Sequence, residues 1–290
     1  LHLSLRRQRQ MCIRDRNYNV AVGHRALEDN VSGADNAAFG TYALMDNTGS
    51  NNTAIGNYAL DANTTGGSNT ALGRSALSGN TTASDNTAVG YAALLSNTTG
   101  TYNTAVGYYA LNTNASANNN TAVGYSALQL CTVASNTAVG YKCLQDCSTG
   151  SENAAVGTGA AKDITTGGSN TAVGKDALNL ATTAANNTTI GKDAGLNIST
   201  GNNNTCLGYR AGTSNSPSGQ LTTDSNYFVL GDDNTASLYC ADTSISSSDA
   251  RDKTDVERFT HGLSWISKLS PVTYSCLLYT SDAADEGLGV

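Results

Sequence analysis

The sequence predicts a mainly β fold: a repetitive parallel β-solenoid, or β-roll, of about twelve coils. Three observations carry the expectation. Residues 17–212 repeat with a spacing of 16 or 17, and an Asn stands four residues before every register glycine, from Asn19 before Gly23 to Asn204 before Gly208. The residue just before each of those glycines is always Val, Ile, Leu or Phe. With 6% aromatic and 13% charged residues, the chain is too polar for a large globular core. Its Val, Ala and Leu recur too regularly for disorder. Self-similarity at a fixed period of this size marks a solenoid-type architecture.

Both ends read as foreign to the array. Back-translating Cys276–Glu286 and taking the reverse complement in one frame encodes Arg6–Asp15 of the same chain. One inverted DNA sequence therefore flanks the gene, and it resembles a transposase-type sequencing-library adaptor. Residues 1–16 and 276–290 are accordingly set aside as non-native. The Arg-rich start is then no nucleic-acid signal, and Leu1–Leu5 is no signal peptide. Setting aside five Arg and one Asp at the start, and two Asp and one Glu at the end, leaves 11 basic and 19 acidic residues. A net charge of −8 on that part argues against nucleic acid as a partner. No apolar run approaches membrane-spanning length, so membrane insertion is not expected.

Within residues 17–212 each repeat position has a physical reading. Thr-Ala-Val is a short strand, with Val or its substitute expected to point inward. The glycine ends that strand, through a positive φ or through close approach of neighbouring coils. Ala-Leu, at three and four residues after it, adds a second inward contact. Whether this dipeptide lies on a short strand or on one helical turn is open at the level of sequence. Links such as Asn97-Thr-Thr-Gly100 are turn chemistry. Recurring Asn in stacked coils commonly forms a side-chain amide ladder. Neither of the 2 prolines lies in the array, so nothing blocks a continuous hydrogen-bond ladder. Twelve coils at about 4.8 Å each make a rod on the order of 55–60 Å. The core of such a rod is thin, and trimerisation about its long axis would thicken it.

Five cysteines remain outside the flanks: Cys131, Cys143, Cys147, Cys206 and Cys240. The Cys143/Cys147 pair lacks a second pair at zinc-finger spacing, and Cys143 and Cys206 take repeat positions otherwise held by Ala. Buried small apolar residues are the favoured reading over metal or redox chemistry. No metal site and no cofactor is expected.

The position after the register glycine varies: His24, Thr41, Asn57 and Arg74, then Tyr91, Tyr108, Tyr125 and Tyr141, later Lys175, Lys192 and Tyr209. Variation at a fixed register point suggests exposure. Four stacked tyrosines make a candidate receptor- or glycan-binding stripe; the plainer reading is an aromatic ladder that only stabilises the rod.

The Asn-Thr-Ala-Val-Gly-Tyr pattern over residues 17–212 resembles the Asn-Ser-Val-Ala-Ile-Gly repeats in the heads of trimeric autotransporter adhesins. It is more similar still to repeats of phage and marine-virus tail-fibre proteins. That resemblance implies a homotrimeric fibre on a virion, with a host-surface glycan or protein as its receptor. A head region on a bacterial cell surface is the alternative, and an ice-binding solenoid is a further one.

Beyond Gly212 the period fails. Residues 213–247, with the apolar run Tyr227-Phe-Val-Leu-Gly231, read as a β-hairpin transition. Residues 248–275 then open a helical pattern through Leu263, Ile266 and Leu269. The run Ser247-Ser-Asp-Ala-Arg-Asp-Lys-Thr-Asp-Val256, followed downstream by Ile266, Leu269 and Pro271-Val-Thr-Tyr274, resembles the start of a known phage module. That module is the intramolecular chaperone auto-processing domain of phage tailspikes, tail fibres and endosialidases.

In that family the domain promotes trimer assembly and then cuts itself off. By position, Ser248 would be the catalytic serine, Lys253 the amine that activates it, and Ser248–Asp249 the scissile bond. The resemblance stops at Ser275, short of a complete domain, so self-cleavage is not expected of this chain. No other catalytic constellation stands out, and a free-standing enzyme is not expected.

Overall fold

The computed structural model describes residues 17–237 and the backbone of Ile13 and Arg14. The strands are β1 (Ile13–Arg14), β2 (Val20–Val22), β3 (Ala37–Phe39), β4 (Thr53–Ile55), β5 (Thr70–Leu72), β6 (Thr87–Val89) and β7 (Thr104–Val106). They continue as β8 (Thr121–Val123), β9 (Thr137–Val139), β10 (Ala154–Val156), β11 (Thr171–Val173), β12 (Thr188–Ile190), β13 (Thr205–Leu207) and β14 (Phe228–Leu230). One sheet holds them in sequence order. β1 pairs antiparallel with β2, and every later pair is parallel and in register. Strands β2–β13 bound eleven turns of a parallel β-solenoid. Among the described residues there is no helix, hence none long and apolar enough to cross a membrane.

Two devices hold coil to coil. Along the first, each Asn that precedes a strand accepts at Oδ1 from the backbone N–H of its counterpart one coil on, as Asn36 N–H does to Asn19 and Asn120 N–H to Asn103, at 2.9 and 3.0 Å. Its Nδ2 then donates across the corner, as Asn86 does to the Gly100 carbonyl at 2.8 Å. These asparagines are buried, and both ends of each amide are satisfied, which is the condition for a polar group to sit in a core. The expected amide ladder is therefore present.

The second device is the register glycine. Gly90 has φ +130, and a Cβ there would stand 2.6 Å from the Gly107 carbonyl oxygen. Positive φ and close coil approach, offered by the sequence as alternatives, act together at this position.

Two expectations are corrected and a third is refined. In the Thr-Ala-Val strands the middle Ala is buried, a place taken by Thr189, Cys206 and Val229 in β12, β13 and β14, while the residues on either side face out. The Val of Thr-Ala-Val does not point inward, because residues two apart share a face and the narrow interior is filled by Leu from across the coil. Leu60, Leu77, Leu94 and Leu111 are fully buried. Second, the Ala-Leu segment is neither strand nor helical turn. Leu60 and Leu94 sit at φ 52 and 50, in the left-handed region that non-glycine residues seldom adopt. Each is held there by a bond to the next coil: Leu60 N–H donates to Ala76 and Leu94 N–H to Ala110, both at 3.0 Å. Third, Phe228–Leu230, in the segment read as a β-hairpin transition whose residues 238–247 lie outside the described ones, extends the parallel stack. It pairs in parallel with β13, and Tyr227 N–H donates to the Asn204 Oδ1 at 2.9 Å. The longer link tucks Leu221 into the core, so the period fails while the coil geometry continues.

Candidate functional site

The register glycine turns the chain out of the strand, and the next side chain emerges at the coil's edge. Tyr91, Tyr108, Tyr125 and Tyr141 stand there one above another, partly exposed. Their ring centroids are 5.1, 5.3 and 5.3 Å apart, with planes within 17° of parallel. The stripe expected from sequence is thus brought together. Stacking has a chemical consequence: each inner ring covers its neighbours' faces. What the column offers to a ligand is a row of ring edges and phenolic hydroxyls, one per coil.

Cations frame the column. The Arg74 guanidinium lies 5.9 Å from the Tyr91 ring centre, and Lys142 lies 5.4 Å from that of Tyr141. Tyr109 meets Tyr91 and Tyr108 edge-on, at 5.6 and 4.3 Å. A hydrogen bond with Tyr108 holds its hydroxyl above the usual tyrosine pKa. Tyr42 and Tyr58 form a second stack at 5.0 Å. Sequence reasoning missed these three, although all stand two residues after a register glycine and that offset was the available signal.

A second surface is the outer face of the sheet. Phe39, Ile55, Leu72, Val139, Val156 and Ile190 follow one another along it, each 37–44% exposed. Two residues away runs the column of Thr53, Thr70, Thr87, Thr104 and Thr121. Alternation along a three-residue strand makes both columns face outward. The result is a regular apolar and hydroxyl-bearing face that no described part of the chain covers.

The interior holds the cysteines. Cys131, Cys143, Cys147 and Cys206 are free and buried. Burial raises the Cys143 thiol to about 12 and the Cys206 thiol to about 11, which makes both poor nucleophiles. Among the described residues no group of three or more His, Cys, Asp or Glu could hold a metal ion. Ser248, Lys253 and the Ser248–Asp249 bond lie outside the described residues, as do Cys240 and the helical pattern of 248–275.

Fold and surfaces together define a class, a repeat protein built as a parallel β-solenoid. No protein-family model matches the chain, and no curated protein or solved structure matches it.

Proposed function

We propose that this chain is the repeat region of a viral tail-fibre subunit that mediates host attachment, assembles as a homotrimer and acts through its surfaces rather than by catalysis. The observation that carries the assembly is the uncovered apolar column on the sheet face. Half-exposed Val, Ile, Leu and Phe at the same place in successive coils favour burial against another copy. The viral assignment rests on the Ser247–Val256 sequence pattern, whose full-length form would carry the self-cleaving chaperone. The tyrosine column, at the coil edge, is the proposed receptor-facing surface.

Sedimentation of the purified chain tests the assembly. A three-chain species is expected, reduced to single chains by combining Val123→Asp, Val139→Asp and Val156→Asp, with the circular dichroism unchanged because these side chains face outward. A wild-type chain that stays monomeric at high concentration sinks the trimer. Sequencing the DNA around the gene tests the owner: virion structural genes are expected, and a membrane-barrel anchor downstream would assign the chain to a cell-surface adhesin.

One observation favours a second reading. The outward Thr column beside the Val column repeats hydroxyl and methyl groups on a regular grid, a surface suited to ordering water as in an ice-binding solenoid. An ice-recrystallisation assay separates the two, since a face buried between copies gives no inhibition.

A further inference from the structure

Seven residues after the register glycine, the coils of the first half carry asparagine, and their side chains meet across coils. Asn80 Nδ2 lies 2.7 Å from Asn63 Oδ1, and Asn114 Nδ2 lies 3.3 Å from Asn97 Oδ1. The next two coils put Cys131 and Cys147 at this same corner, both fully buried. Their neighbours are bonded across the coil gap: Leu130 N–H to Gln145 and Thr132 N–H to Ser148, each at 3.1 Å. The two cysteines therefore stand opposite each other at one coil separation. A separation of about 4.8 Å falls inside the roughly 4.4–6.8 Å over which Cα atoms can be bridged by a disulfide.

We propose that Cys131 and Cys147 form a disulfide that staples two consecutive coils when the chain folds in an oxidising medium. The oxidant is a small-molecule disulfide. The Cys131 thiolate attacks one of its sulfurs and releases one small thiol, leaving a mixed disulfide on Cys131. The Cys147 thiolate then attacks the Cys131 sulfur and expels the second small thiol. Two protein thiols are oxidised, one small disulfide is reduced to two thiols, and the protons pass to those products.

The order of attack follows from the surroundings. A hydrogen bond from Cys147 holds the Cys131 thiol below its ordinary pKa, whereas the same contact, and then burial, raise that of Cys147. Each sulfur also lies within hydrogen-bonding distance of a carbonyl of its own coil, Cys131 of Val133 at 3.2 Å and Cys147 of Gly150 at 3.1 Å. Closing the bond exchanges these weak contacts for a covalent link. Because both sulfurs are sealed from solvent, the bond forms during folding or coil opening and then resists reduction. Disulfides of this kind persist on extracellular particles and cell surfaces.

The test uses the full chain with the other five of its 7 cysteines changed to alanine, refolded with oxidised glutathione. The expected product has lost two hydrogens in mass, yields one cross-linked peptide pair containing Cys131 and Cys147, and melts about 5 °C above its reduced form. The double variant Cys131→Asn with Cys147→Asn, which restores the amides of the first half, should fold and show no redox-dependent melting. Two alkylatable thiols after oxidative refolding would overturn the proposal. So would a lasting glutathione adduct, or a bridge that lowers the melting temperature.

Discussion

The two halves of the array share one coil but fill one interior corner differently. From Asn47 through Asn63, Asn80 and Asn97 to Asn114, the corner is a column of buried amides. From Cys131 through Cys147, Ile164 and Ala181 to Ile198 it is buried and apolar. The reason both work lies in the corner carbonyl. In the first half it accepts twice: Gly100 takes Asn86 at 2.8 Å and Asn97 at 2.9 Å. Where the second half carries Ile or Ala at this corner the first donor alone suffices, as Asn170 serves Ala184 at 2.8 Å, while the Cys131 and Cys147 thiols keep a second contact to Val133 and Gly150. Losing the inner amide therefore leaves the corner carbonyl bonded, and an apolar side chain can take its place without orphaning that carbonyl. A redundant hydrogen bond is where a repeat is free to vary.

The largest effect is expected where the halves do not differ. Gly90→Ala should cost on the order of 4 kcal/mol, because the added Cβ meets both a forbidden φ and the Gly107 carbonyl. Denaturant unfolding reads it. A loss below about 1 kcal/mol would mean that coil spacing is soft and the shared frame is not what unites the halves.

Next comes the asymmetry itself. Asn170→Ala removes the side-chain donor to the Ala184 carbonyl and the acceptor for the Asn187 N–H. Asn86→Ala removes an acceptor for Asn103 N–H in the same way, yet leaves Gly100 bonded to Asn97. The second-half substitution should cost about 1–3 kcal/mol more, the penalty of one further unpaired buried group. Amide exchange in the flanking coils gives the comparison, and equal costs would refute the account of redundancy.

The smallest effect separates the halves by pH. Asp61 lies in the first half with Oδ1 buried and unpartnered, and burial pushes its carboxyl up to about 6 from an ordinary 3.8. Between those values the folded chain holds a proton that the unfolded chain releases. The contribution of this group to stability is thus fully present below about pH 4 and is lost as pH rises through 6. Because the group is partly solvated, the loss is on the order of 1 kcal/mol after allowing for screening. Asp61→Asn should flatten this dependence for coils of the first half; an unchanged pH profile would remove Asp61 as its source.

Much of this frame was legible in the sequence. Asn and Gly at fixed offsets announced the register, the amide ladder and the crowded glycine, because each has one physical role that few residues can fill. The facing of the strands was not legible. With Ala and Val both apolar and the strand only three residues long, periodicity had too few positions to choose between them. The left-handed leucines were hidden for another reason: Leu carries no signal for that φ, which is imposed by bonds to the next coil. The inner amide column was read only as turn chemistry, since its asparagines sit among the Thr and Gly of the links. Of the candidate site, the four tyrosines were visible as a repeated offset, whereas the covering of their faces is a property of coil spacing alone.

The bonds from Leu60 to Ala76 and from Leu94 to Ala110 run from coil to coil, as do those of the strands and asparagines. Tension applied along the stack would therefore load these bonds along their own length, one coil interface at a time. A coil that yields releases about 17 residues, roughly 55 Å of extended chain, while its neighbours keep their own bonds. Such a chain lengthens under load by measured increments instead of failing at once, a useful property for any tether that must hold while what it grips is moving.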